Sequence, residues 1–441
     1  MNVLTYARDA LSTGPLCDAC LGRPLGDRSF GLGNGERGRA LRTTIALEDD
    51  ESFETADAGE CWVCEGVCDG FDAWAERVVE ALAGYEFDTY QVGTRVPALL
   101  EENGRLLRED AGLNADAGEP LKRELNREVG KRVGAHVDAD VDFERPDVQV
   151  TLDLDADAVD IQINSAFVYG RYRKLQRDIP QTEWPCNDCN ETGTIDGEPC
   201  PGCDGTGYRY DESVEELTAP VVRKAMDGTE AVFHGAGRED VDALMLGTGR
   251  PFVIEVKEPR TRDVDVDRLE TDINDFADGK VEVEGLRLAT HDMVERVKEH
   301  DASKTYRMTV AFESPVEAAD LTAGLEELEG ETIEQRTPNR VAHRRGDIVR
   351  TREVYEASGQ LEADAGEQAN VEKASRATIE VHGEGGLYVK ELVSGDEGRT
   401  EPSLTGLLGV SAEVTALDVL AVEGEDEPFT DEAYFRDVDE T

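Results

Sequence analysis

Three features of the 441-residue sequence predict an α+β fold. Apolar residues recur at helical spacing at Phe71, Trp74, Val78 and Leu82, and again at Leu121, Leu125, Val129 and Val133. Other segments alternate apolar with polar residues (Val148, Val150, Leu152, Leu154) or run in β-branched and aromatic side chains, as at Pro251–Val256 and Lys304–Phe312. Eight of the nine cysteines form Cys-x-x-Cys pairs that can staple the loops between such elements. A chain of this length has room for two or three domains.

Charge bounds the setting. Lys and Arg total 46 and Asp and Glu 98, a formal net charge of −52 spread along the whole chain. Such acidity ordinarily opposes a polyanionic partner, because RNA binding relies on positive charge and counterion release. A hydrophobic content of 39% nevertheless excludes global disorder. Cytoplasm at molar salt reconciles the two facts, since the Debye length at 1 M is only about 3 Å. No apolar stretch reaches the ~20 residues that span a bilayer, and the first residues lack a basic-then-apolar signal. The chain is therefore expected to be soluble and cytoplasmic, with no membrane partner.

Taken in chain order, Cys17/Cys20 and Cys61/Cys64 are expected to form one structural zinc site, with Cys68 either a competing ligand or a small buried residue. Helices are expected over Phe71–Leu82 and Leu121–Val133. The second carries Lys122, Arg123, Arg127, Lys131 and Arg132, either paired along the helix with Glu124 and Glu128 or facing an RNA backbone. Val148–Leu154 and Ile161–Ile163 predict a hairpin. It leads into Val168–Lys174, where Arg171, Arg173 and Lys174 interleave with Tyr169 and Tyr172, a composition suited to phosphate contact and base stacking.

Cys186/Cys189 and Cys200/Cys203 lie ten residues apart, each pair running into a glycine turn, and predict a second zinc knuckle. A zinc deaminase would add a nearby His-x-Glu. The His-x-Glu here, His382–Glu384, stands almost 180 residues downstream, and the paired cysteines leave no open metal position.

The most informative run is Phe233–Phe252, glycine-rich and carrying Gly237-Arg238-Glu239-Asp240, either a surface turn with Asp240 capping a local N–H or a loop that presents a carboxylate. Glycine lets the backbone approach a substrate, so a carboxylate on such a turn can be pushed close to it. Gln335–Arg352 holds six arginines, among them Arg336, Arg340, Arg344 and Arg345, against the single acid Asp347, and is expected to contact phosphates from a strand or hairpin. Ile379–Leu392 predicts a strand, a glycine turn, and then a second strand or a helix start that carries Tyr388, Lys390 and Leu392.

Gly-Arg-x-Asp resembles the catalytic loop of pseudouridine synthases. The longer run, together with Pro180–Trp184, Ser213–Leu217, Lys304–Phe312, Gln335–Arg352, Ile379–Leu392 and Thr400–Leu408, resembles the archaeal THUMP-containing tRNA pseudouridine-54/55 synthase family (the Pus ten type). The resemblance spans most of residues 15 to 410. It implies a pseudouridine-synthase catalytic domain on a mixed, largely antiparallel sheet over residues 171–441, interrupted by the knuckle at 185–210. A zinc-binding THUMP-like α+β RNA-binding domain is implied over residues 1–170. It further implies an isomerase acting on uridines of the TΨC arm of tRNA, with Asp240 as nucleophile or base and Lys390 as its cationic neighbour. Tyr306 is implied to lie against the target base, with Tyr388 a second substrate contact, Leu392 an apolar wall and Arg238 a hold on the RNA backbone. Structural zinc, no organic cofactor and no obligate protein partner complete the expectation. A zinc-bearing RNA-binding or chaperone-like module, or a THUMP-linked RNA methyltransferase, are the competing readings. The latter needs a nucleotide-binding glycine loop, and Gly235-Ala236-Gly237 is too short for one.

Overall fold

The computed structural model describes residues 2–300, 302–342, 346–362, 372–423 and 429–436. It divides into two compact units, Met1–Ser165 and Ala166–Thr441.

The first unit opens with helices α1 (Val3–Ser12), α2 (Asp18–Gly22) and α3 (Asn34–Asp49). Their core is small: Tyr6, Ala7, Ala10, Leu16 and Leu21 pack with Cys17, Cys20, Cys61 and Cys64. After it come α4 (Phe71–Leu82), strand β1 (Thr89–Arg95), α5 (Ala98–Asp110), α6 (Leu121–Val133), β2 (Asp140–Val141), β3 (Val148–Asp153) and β4 (Ala158–Ile163). The two helices read from apolar spacing form over the expected residues. The spacing works as it should: Trp74, Val78 and Leu82 of α4 and Leu121, Leu125, Val129 and Val133 of α6 are buried in one core with Val148, Val150 and Leu152 of β3. Each such aliphatic side chain contributes about 1.5–3 kcal/mol. The sheet runs β2-β1-β3-β4, with β1 parallel to β2 and β3 and the β3–β4 hairpin antiparallel.

The second unit begins with β5 (Ala166–Lys174). The knuckle follows, holding the two-residue strands β6 (Thr194–Ile195) and β7 (Glu198–Pro199), and then α7 (Val214–Ala225). Next come β8 (Glu230–Gly235), β9 (Leu244–Lys257), α8 (Val266–Ala277), β10 (Val281–Ala289), α9 (Asp292–Glu299), β11 (Ser303–Glu317), α10 (Ala318–Leu328) and β12 (Thr332–Arg336). The unit closes with β13 (Val349–Leu361), β14 (Lys373–Gly383), α11 (Val389–Ser394), β15 (Thr400–Glu401), α12 (Leu404–Leu408) and β16 (Ala412–Glu423). One ten-stranded sheet runs β10-β5-β9-β16-β11-β14-β13-β12-β15, with β8 also on β9. The β9–β16 pair is parallel and the other pairs are antiparallel, which is the mixed, largely antiparallel sheet expected.

The units divide after Ser165, earlier than the boundary expected between 170 and 171. Phe167–Lys174 pairs along its length with β10 and β9, so a cut at 170 would fall inside a central strand. This placement also changes the reading of Val168–Lys174. Tyr172 and Lys174 are fully buried, and Arg171 and Arg173 spend their guanidinium groups on Thr248, Gly249 and Val422 carbonyls and on Glu282 and Glu284. Lys174 cannot reach a phosphate without unfolding the strand.

Candidate active site

Asp240 sits on the loop between β8 and β9. Gly237 takes a φ of +73°, the left-handed region that favours glycine, and this turns the chain back on itself at the tip of β8. The Asp240 side chain is 35% exposed, so it faces open space from an otherwise buried support. Lys390 Nζ lies 3.0 Å from Asp240 Oδ2 and 3.4 Å from Asp242 Oδ2. The lysine reaches it because the glycine turn after β14 delivers the chain into α11, whose second residue is Lys390. Arg340 Nη1 stands 3.6 Å from the other Asp240 oxygen and is itself tied to the buried Glu391 at 2.7 Å.

Tyr306 lies on β11 and is 9% exposed. Burial pushes its phenol up to about 12, with Arg250 lowering it and Asp240 raising it, so it stays protonated near neutral pH while feeling both charges. Tyr388 precedes α11. Its backbone is clamped by Gln335 at 2.8 Å and 3.0 Å, and its hydroxyl accepts from Arg350 at 3.0 Å. Leu392 is buried one turn below it. A cleft of 590 Å³ opens beside Lys390, lined in part by Phe312, Glu313, Ser394 and Val414. The β8–β9 loop, the start of α11, the β12–β13 connection and β11 thus bring a carboxylate, two cations and an aromatic ring within electrostatic reach of one another. Such a set can stabilise, attack or deprotonate a polar substrate held against the ring.

A family model described as "Pus10, C-terminal" matches residues 167–423, and one described as "Pus10 THUMP domain, archaeal" matches residues 74–153. A protein of Halorubrum lacusprofundi named tRNA pseudouridine synthase Pus10 is 66% identical over 99% of this chain and 100% of its own length. The chain belongs to the Pus10 family. Two further proteins bear the same name. That of Methanothrix thermoacetophila is 43% identical over 96% of this chain and 95% of its own, and that of Methanopyrus kandleri is 41% identical over 94% and 97%. Membership sets aside the methyltransferase and chaperone readings, and the C-terminal match encloses Asp240, Tyr306 and Lys390.

Within this Pus10-family site Arg238 is exposed beside Asp240. Arg336 pairs with Asp347 at the base of the β12–β13 hairpin, and Arg352 with Glu384 at 3.3 Å. Arg344 and Arg345 lie outside the described residues. In the first unit Glu124, expected on an exposed helix face, is buried with Arg23 at 2.7 Å. Arg127 and Arg132 are held by Glu119, Glu128 and Asp72.

The cysteines form two sets in which all four sulfurs lie within 4.8 Å of one another. Cys186, Cys189, Cys200 and Cys203 are the expected second set. It is built from two copies of one turn: Cys186 N donates to Gly207 O and Cys200 N to Gly193 O, each at 2.8 Å. Thr192 and Thr206 each donate back to the carbonyl of the preceding Cys, at 2.6 Å and 2.8 Å. The first set is Cys17, Cys20, Cys64 and Cys68, a correction to the expected quartet. Cys61 stays buried alongside, its thiol pulled down to about 7 by hydrogen bonding with Cys17 and Cys20. Five sulfurs therefore crowd a site for four, because the short helix Val67–Asp69 carries Cys68 back over the Cys64 turn.

Spacing alone did not reveal the Arg340–Asp240 contact or the buried side chains beneath the loop, Glu239, Arg250 and Gln181. One sequence signal was present. Arg250 stands at the head of the apolar run Pro251–Ile254, where a charge has nowhere to go but inside. Replacing Lys390 by Met is expected to slow turnover roughly 10²-fold, the usual loss for one preorganised donor. Single-turnover rates on saturating enzyme measure it, and an unchanged rate removes Lys390 from the reacting set.

Proposed function

We propose that this chain isomerises uridine to pseudouridine at positions 54 and 55, in the TΨC arm of tRNA, with Asp240 as the reacting carboxylate. The observation that carries this reading is the 3.0 Å Lys390–Asp240 ion pair, presented half-open on a glycine-bent loop whose carboxylate acts electrostatically on the buried Tyr306. The N1–C1′ bond breaks, uracil turns, C5 bonds to C1′, C5 loses its proton and N1 gains one. Atoms and electrons balance within the substrate. Asp240 serves either by adding to the sugar or base, or by taking a ribose proton to give a glycal-like intermediate. Tyr306 packs on the extruded base as a neutral phenol, since burial holds its proton in place. Arg238 and Arg340 face the RNA backbone while the nucleotide is flipped, at a cost of a few kcal/mol for unstacking.

The two sulfur quartets suit zinc, because four thiols within 4.8 Å of one another, all buried except the half-buried Cys68, match a closed tetrahedral site. Cys17, Cys20, Cys64 and Cys68 would hold one ion, and Cys186, Cys189, Cys200 and Cys203 the other. Each ion would cross-link its loops and take no part in the reaction. All nine cysteines are free, which fits a reducing cytoplasm. No helix among the described residues is long and apolar enough to cross a membrane.

The test incubates purified protein in molar potassium chloride with unmodified tRNA transcript, wild type beside Asp240→Ala, and maps pseudouridine by chemical adduct and primer extension. Product in the TΨC arm with wild type only is expected. No product from wild type, or equal product from the variant, sinks the reading.

A further inference from the structure

The loop that presents Asp240 is held from beneath by side chains removed from solvent. Lys174 Nζ donates to three carbonyls, Ile179 O at 2.8 Å, Val241 O at 3.0 Å and Asp240 O at 3.3 Å, so its three protons are fully used. Arg250 Nη1 donates to Ala236 O at 2.6 Å, and Gln181 Nε2 to Gly237 O at 2.9 Å. Glu239, between the exposed Arg238 and the half-exposed Asp240, turns inward, and its side chain is 1% exposed. Its carboxylate accepts from the Tyr172 hydroxyl at 3.0 Å and 2.9 Å, pairs with Arg250 Nε at 3.0 Å and lies 4.0 Å from Lys174. Gln181 also donates to the Tyr172 hydroxyl at 3.0 Å, which completes a relay from Gln181 through Tyr172 to Glu239.

We propose that Glu239, Lys174, Arg250, Tyr172 and Gln181 form a buried positioning device that fixes the backbone of residues 236–241 and so sets the reach of the Asp240 carboxylate. The inference rests on Asp240 being the reacting group. Buried ion pairs stabilise a fold little more than apolar packing of the same volume, and their best-attested use is to select one arrangement. Here each of the five side chains belongs to, or makes at least one contact with, the one loop where placement matters. Two cations face one buried carboxylate, so a positive charge is left over beneath the loop whose outward face is acidic. None of the five touches the substrate, so each acts on the reaction through Asp240.

The experiment compares wild type with Glu239→Gln, which keeps shape and removes charge, and with Tyr172→Phe, which deletes one hydroxyl and keeps the ring in the core. Both are assayed in molar salt on unmodified tRNA transcript for single-turnover rate, for tRNA dissociation constant and for folded content by circular dichroism. A misplacement near 1 Å costs roughly 10²-fold in rate. Glu239→Gln is expected to slow the chemical step by about that factor and Tyr172→Phe by roughly a tenth of it, with tRNA affinity within about twofold of wild type. Tyr172→Phe keeps the test decisive if Glu239→Gln does not fold. A folded variant that turns over at the wild-type rate, or one whose loss lies wholly in tRNA affinity, overturns the proposal. Wild type without pseudouridine activity would instead overturn the uridine reading itself, so the two failures are separable.

Discussion

Asp240→Asn is expected to remove pseudouridine formation while leaving the fold and tRNA affinity as they are. Asparagine has the same shape and can still accept from Lys390, so the loop keeps its geometry. What it loses is the negative oxygen that attacks carbon or takes a proton, and both chemical routes need that oxygen. General acid–base roles alone are worth about 10²–10⁴-fold, and a group that is the sole nucleophile or base lies at or above the top of that range. A drop of roughly 10⁴-fold or more is therefore expected, read as single-turnover conversion of tRNA transcript. Stability should hardly move, because the Asp240 side chain is 35% exposed and its ion partners Lys390 and Arg340 are themselves partly exposed. A slowing of only a few-fold would mean that another carboxylate does the chemistry. Asp242, which shares Lys390 at 3.4 Å, would be the first to examine.

How much of this site could be read in the sequence depended on the kind of signal. Local periodicity was reliable: the apolar spacing at Trp74, Val78 and Leu82, and at Leu121 through Val133, marks helices that form over those residues. The glycine turns that carry Asp240 and Lys390 stand out because glycine punctuates apolar strands there, whereas the meeting of the two side chains was implied only by the family resemblance. The fates of Lys174 and Glu239 were not legible. A lysine in a run of arginines and tyrosines reads as an RNA contact. Whether it points outward depends on which strands flank β5, and that pairing is set by β9 and β10, far along the chain. Arg340 likewise lies in an arginine-rich stretch whose neighbours give no hint that Glu391 and Asp240 will meet it. The choice of Cys68 over Cys61 was hidden for a related reason. Cys-x-x-Cys spacing nominates pairs, whereas the fourth sulfur is decided by how the turn after Cys64 folds back. Residue type and spacing disclose a local element, and long-range pairing decides which of its faces does the work.

Metal loss is expected to act very differently at the two cysteine sets. Cys17, Cys20 and Cys64 are themselves core residues of the helices α1–α3, which bury few large apolar side chains of their own. Structural zinc at thiolate sites supplies apparent binding free energies of roughly 10–16 kcal/mol, more than a core of that size can replace. Replacing both Cys61 and Cys64 by Ser, which leaves three thiols, should therefore halve the zinc content and expose residues before about Phe71 to protease. The knuckle differs, because its buried core consists of the four cysteines alone. Its two ends are pinned to each other by the Pro185–Tyr208 bridge and the Trp184–Tyr210 ring contact, while the cluster that includes Val222, Phe252 and Ile254 has no knuckle residue in it. Cys200→Ser should also halve the zinc, yet confine new protease cuts to the knuckle and keep the melting transition of the larger unit. Metal analysis, limited proteolysis and calorimetry in molar salt distinguish the two variants. If Cys200→Ser unfolded the catalytic unit as a whole, the knuckle would be a keystone of the sheet, and Gln181, five residues before Cys186 and bonded to Gly237 O at 2.9 Å, would be the route by which its collapse reached Asp240.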